Sequence, residues 1–139
     1  MSDSVRQLRE RGGETEKITI NLGYVDLGRI DLLVQEGFYS NRSDFIRSAI
    51  RSQLAAHANE LSRSIERHTL ELGLRVYTTA DLEALRKAGE ILHIKVIGLA
   101  RIAADVTPEL ARATISSITV LGALQATAEV RQALSDRIQ

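Results

Sequence analysis

The run Lys17-Ile18-Thr19-Ile20-Asn21-Leu22 limits most severely what this chain can fold into. It alternates strictly, with Lys17, Thr19 and Asn21 on one side and Ile18, Ile20 and Leu22 on the other, the period of a half-buried strand. The residues beyond Leu22 read as helix, so no tight hairpin can supply a neighbour. A lone strand with two bare edges is not stable. The simplest repair is a second copy of the chain, paired antiparallel about a two-fold axis. The polar side of that ribbon carries two copies each of Lys17, Thr19 and Asn21.

Those three side chains suit base reading in a major groove, which admits a two-stranded ribbon. Lys17 can donate to guanine O6 or N7, Asn21 can bond adenine in bidentate fashion, and Thr19 can offer hydroxyl or methyl to several bases. On alternation alone, a solvated strand face competes with this reading.

After the strand, Gly23 and Tyr24 turn the chain. Apolar residues then recur at Val25, Leu27, Ile30, Leu33 and Val34, and the pattern stops at Gly37, as one helical face with a glycine end. The connection Gly37-Phe38-Tyr39-Ser40 leads to a second helix with Phe45, Ile46, Ala49, Ile50 and Leu54 on one face and Arg42, Arg47 and Arg51 off it. Ser40 is the expected N-cap. The free N–H groups of Asn41, Arg42 and Ser43, at the positive end of the helix dipole, would then suit a DNA phosphate. An ordinary capped helix is the plain alternative.

Strand, helix, glycine turn and helix, written as Ile18-Thr19-Ile20-Asn21-Leu22 through Glu36-Gly37-Phe38-Tyr39-Ser40-Asn41-Arg42-Ser43-Asp44-Phe45-Ile46-Arg47-Ser48-Ala49-Ile50, closely resembles the ribbon-helix-helix family of the CopG, Arc and MetJ type over residues 16–57. The resemblance implies an obligate homodimer with an intermolecular ribbon in the major groove of double-stranded DNA. Its base-reading positions fall on Lys17, Thr19 and Asn21. Its phosphate contact falls on Ser40, Asn41, Arg42 and Ser43, through backbone around Arg42. The implied dimer core is Ile18, Ile20, Leu22, Ile30, Leu33, Phe45, Ile46 and Ile50. The expected function is that of a transcriptional regulator, a repressor. The alternative within the fold is an antitoxin that controls its own operon and binds a toxin partner. A ribbon-helix-helix unit before a folded domain is also similar to the nickel-responsive regulators, but the similarity stops at the first domain, because the second half lacks Cys and clustered His ligands.

The remaining sequence organises around this unit. Residues 1–15 form a basic arm with Arg6, Arg9 and Arg11 before Gly12-Gly13, either a flexible start or a reach toward phosphates or the minor groove. Between Asn41 and Leu72 there is no Gly or Pro. Either one long helix runs to Gly73 or two meet near His57-Ala58-Asn59-Glu60, with the break favoured, and residues 58–78 read as a helical connector. Within it, Gly73 to Thr78 is a connection in which Leu74, Val76 and Tyr77 can extend. Thr79 is the expected cap of a helix over Ala80–Ala88, acidic early, basic late and stopped by Gly89.

The last third of the chain contains a repeat. Ile94-Lys95-Val96-Ile97-Gly98-Leu99 matches Ile118-Thr119-Val120-Leu121-Gly122-Ala123 at an offset of 24, and the match continues through Val106 with Val130 and Leu110 with Leu134. Each copy reads as a β-branched strand followed by a helical segment, the first with Pro108 in its opening turn under a Thr107 cap. Strands apolar on both faces suggest burial between layers, or cover by a second chain. Gly98 and Gly122 mark either a close approach of backbone to a ligand or room for a bend or neighbouring chain, the second being favoured. The expected class is α+β, with residues 79–139 a small mixed domain for oligomerisation, up to a tetramer, or for sensing an effector.

Composition excludes rather than selects. Lys plus Arg and Asp plus Glu both number 18, eight of each falling in residues 1–57, so any polyanion binding rests on local arrangement. There is no Cys, which removes thiolate chemistry and suits a reducing compartment. No apolar run long enough for a membrane span appears, and the reading is a soluble, cytoplasmic protein. His57, His68 and His93 are the imidazoles. On one helix His57 and His68 would stand roughly 16 Å apart, too far to share a metal. With no nucleophile elbow, phosphate loop or zinc-protease pattern, the chain is not expected to be an enzyme or to hold a metal or cofactor.

Overall fold

The computed structural model describes residues 14–139. Arg6, Arg9 and Arg11 of the N-terminal arm lie outside the described residues. The chain divides into two compact units, one ending at Leu61 and one spanning Ser62–Gln139. No helix among the described residues is long and apolar enough to cross a membrane.

In the first unit, residues 15–23 form neither helix nor hydrogen-bonded strand. The strand expected over Lys17–Leu22 therefore has no partner among the described residues. Helix α1 spans Tyr24–Gln35. It ends as Gly37 dictates, with Gly37 at φ +86 donating to the Val34 carbonyl and Phe38 donating to that of Leu33. Helix α2 spans Arg42–Ala56, and His57 separates it from α3, Ala58–Arg67. Ile30 is the one buried residue from residue 14 to Leu61.

The second unit alternates strand and helix three times: β1 Glu71–Tyr77, α4 Thr79–Ala88, β2 Leu92–Ile102, α5 Pro108–Thr114, β3 Ile115–Gln125 and α6 Ala128–Ala133. The strands are parallel in the order β1-β2-β3. Each helix starts under a threonine whose side chain accepts a backbone N–H: Thr78 from Asp81, Thr107 from Leu110 and Thr127 from Val130. The cap of α4 is thus Thr78, not Thr79, and the Asp81 carboxylate returns the bond to the Thr78 N–H. Thr79 sits inside the first turn with its hydroxyl buried and unbonded.

Alternation along the strands separates the two faces of the sheet. Ile94, Val96, Ala100 and Ile102 on β2 and Ile118 on β3 are buried with Leu82, Leu110, Ala111 and Val130 of the helices. The opposite face is open. It carries Leu72, Leu74, Val76 and Leu121, all exposed, so burial between two layers, expected from strands apolar on both sides, holds for one side only.

The register explains the 24-residue offset, since Ile94 lies opposite Ile118 and Gly98 opposite Gly122. A third glycine joins them, because Gly73 lies opposite Gly98. All three have strongly positive φ, +126, +133 and +119 in strand order. A Cβ on Gly98 would lie 2.2 Å from the Gly73 carbonyl oxygen, and one on Gly122 would lie 2.1 Å from that of Gly98. The group that approaches each of these two glycines is the backbone of the neighbouring strand. Residues 71–77, expected as connector, are the first strand of this ladder.

Candidate nucleic-acid interface

Residues 17–22 and the start of α2 both belong to the first unit. Lys17, Thr19 and Asn21 are exposed, and so are Ser40, Asn41, Arg42 and Ser43. Ile18, Ile20 and Leu22 line an open apolar groove of about 840 Å³ together with Ile30, Leu33, Phe45, Ile46, Ala49 and Ile50. Ile18 is 72% exposed, Ile20 56% and Ile50 47%, so the residues expected in the dimer core are gathered on one surface and left unburied by the single chain. Ile30 is the exception, already covered at its helix.

The start of α2 differs by one residue from expectation. Asn41, not Ser40, is the N-cap, and its side chain accepts the Asp44 N–H at 2.8 Å. Asp44 in turn accepts the Ser40 N–H at 2.9 Å. Ser, Asn, Arg and Ser stand in succession here, and both Ser40 and Asn41 are competent caps, so propensity alone does not choose between them. With Ser40 and Asp44 satisfied, the backbone N–H groups of Arg42 and Ser43 are left without a protein acceptor among the described residues. They are the donors at the positive end of the helix.

The Arg42 guanidinium points elsewhere. Its Nε and Nη2 each reach an oxygen of Asp31 on α1 at 2.8 Å. Hydrogen bonding to Arg42 holds the Asp31 carboxyl below its ordinary range, and the same bonds raise Arg42. Asp31 is a residue that periodicity does not find, because its partner lies on the next helix, eleven residues away. The connection between the helices is packed by Tyr39 against Phe45, edge to face with centroids 5.0 Å apart.

A family model described as the ribbon-helix-helix transcriptional regulator family matches residues 13–131. The chain belongs to the ribbon-helix-helix transcriptional regulator family. The match covers residues 17–22, α1 and α2, and runs on through the parallel sheet into α6, well past the residues 16–57 that carry the resemblance in sequence. Membership makes this a DNA-binding transcriptional regulator. No curated protein and no solved structure matches the chain.

Among the described residues, no group of three or more His, Cys, Asp or Glu is placed to hold a metal ion.

Proposed function

We propose that the chain acts as a homodimeric repressor without a cofactor or catalytic role. Two copies of residues 17–22 pair as an antiparallel ribbon over the apolar grooves of both protomers, with Ile18, Ile20 and Leu22 turned inward. Lys17, Thr19 and Asn21 then line the outer face and read base edges in the major groove of double-stranded DNA. The N–H groups of Arg42 and Ser43 seat a phosphate at each end, with Asn41 and Ser40 shaping the turn. The observation that carries this reading is the exposure of Ile18, Ile20 and Leu22 beside a groove lined by Leu33, Phe45 and Ile46. Burial of that surface by a second chain completes the core that Ile30 only begins.

The second unit has a core of its own around Leu82, Ile94, Val96 and Ile118. That weighs against the antitoxin alternative, whose toxin-binding tail folds on its partner, and favours a domain that extends assembly or senses an effector. Selection of bound fragments from the host genome tests the proposal. It predicts enrichment of a short motif with two-fold symmetry; recovery of fragments without any shared motif would contradict it.

A further inference from the structure

β1 and β3 are the two edge strands of the order β1-β2-β3. Ile118 of β3 bridges Ile138, whereas the outer edge of β1 has no bridge among the described residues. Such an edge presents a row of N–H and C=O groups to any strand that fits. Residues 71–75 read Glu-Leu-Gly-Leu-Arg, symmetric about Gly73 in their leucines and opposite in charge at their ends.

We propose that β1 is a two-fold interface between copies of this chain, the two strands pairing antiparallel with Gly73 opposite the partner's Gly73. In that register Glu71 faces the partner's Arg75 and Leu72 faces the partner's Leu74. One symmetry operation therefore supplies two ion pairs and two apolar cross-strand pairs. A register centred one residue later, on Leu74, would set Glu71 against the partner's Tyr77 and lose both charge pairs.

The single chain is arranged as this interface requires. Leu72 and Leu74 are 70% and 50% exposed. Arg75 Nε and Glu71 Oε2 lie 2.8 Å apart on the same strand, about half exposed, bonded to each other in the absence of a second copy. Gly73 shares the positive φ of Gly98 and Gly122. Where those two hold a neighbour's carbonyl oxygen, Gly73 has nothing within 4 Å of its absent Cβ. The backbone of an added strand fits that space. A foreign strand would satisfy the edge, but the charge reversal about Gly73 matches a second copy of the same strand.

This interface is separate from the ribbon of residues 17–22 and stands or falls independently of it. Because the chain has no Cys, introduced thiols report on it directly. The full-length chain carrying Leu72→Cys together with Leu74→Cys is oxidised at low concentration and run without reductant. The interface predicts a covalent dimer from the pair and little from either single substitution, since each position faces the other. Adding Glu71→Arg or Arg75→Glu alone lowers the yield several-fold, and adding both restores it. Absence of the covalent dimer, equal crosslinking by a single cysteine, or indifference to the charge reversals would each overturn the proposal. All four positions are exposed, so loss of fold, followed by circular dichroism, is not expected to intervene.

Discussion

Arg42 grips both carboxylate oxygens of Asp31, with Nε and Nη2 each at 2.8 Å, and so ties the first residue of α2 to α1. The contact is half exposed, so its contribution is modest and screened by salt. Its pH dependence has a definite sign. Hydrogen bonding to Arg42 lowers the folded-state Asp31 value, so the stabilisation is present above the carboxylate's unfolded range and is lost as pH falls through the lowered value. Asp31→Asn should lower the melting temperature slightly at neutral pH and leave it unchanged in strong acid. Paired thermal melts at the two pH values check this.

The same geometry separates side chain from backbone at the proposed phosphate contact. Because the guanidinium is engaged by Asp31, Arg42→Gln should weaken DNA binding less than Ser43→Pro, which removes an N–H from the first turn of α2. That turn tolerates proline without losing an internal helix bond. Loss of one N–H bond to a charged phosphate is worth roughly tenfold or more in affinity. Titration of both variants against one selected fragment compares them directly.

The glycine ladder predicts an ordered series. Gly98→Ala and Gly122→Ala each drive a Cβ into a neighbouring carbonyl while keeping a backbone angle that L-residues avoid. Each should cost the second unit about 4 kcal/mol or more. Within the single chain Gly73→Ala carries only the backbone strain, about 1–3 kcal/mol, and measured on the monomer it should be the mildest. Denaturant unfolding of the three variants gives the ranking.

Neighbouring threonines at the start of α4 should behave oppositely. Thr78→Ala removes a cap that is half of a reciprocal pair with Asp81 and should cost about 1 kcal/mol. Thr79→Val replaces a buried hydroxyl without a partner by a methyl group and should be neutral or stabilising by about 1 kcal/mol. Thermal melts of the two variants decide.

These cases also show why some of the molecule is readable from sequence and some is not. Gly37 announces the end of α1 because a left-handed residue there has few substitutes. Ser40 and Thr79, the caps expected from sequence, each stand one position from the true cap, since each has a competent neighbour and only backbone geometry chooses. The offset of 24 is visible in sequence, but its meaning as strand register, with Gly98 beside Gly122, depends on a parallel ladder that no local pattern announces. The strand β1 reads as connector because its exposed leucines alternate across a glycine and its partner strand begins some twenty residues later. Asp31 escapes notice for a similar reason, being tied to a residue on another helix.

The central claim is that Lys17, Thr19 and Asn21 read base edges from a ribbon built by two chains. The most direct measurement compares wild type with the combined variant Lys17→Ala, Thr19→Ala and Asn21→Ala for retention of a selected fragment against random DNA of equal length. The expected result is a variant that remains folded and loses its preference for the selected fragment, keeping weak, salt-sensitive binding to both. Undiminished preference in the variant would contradict the claim.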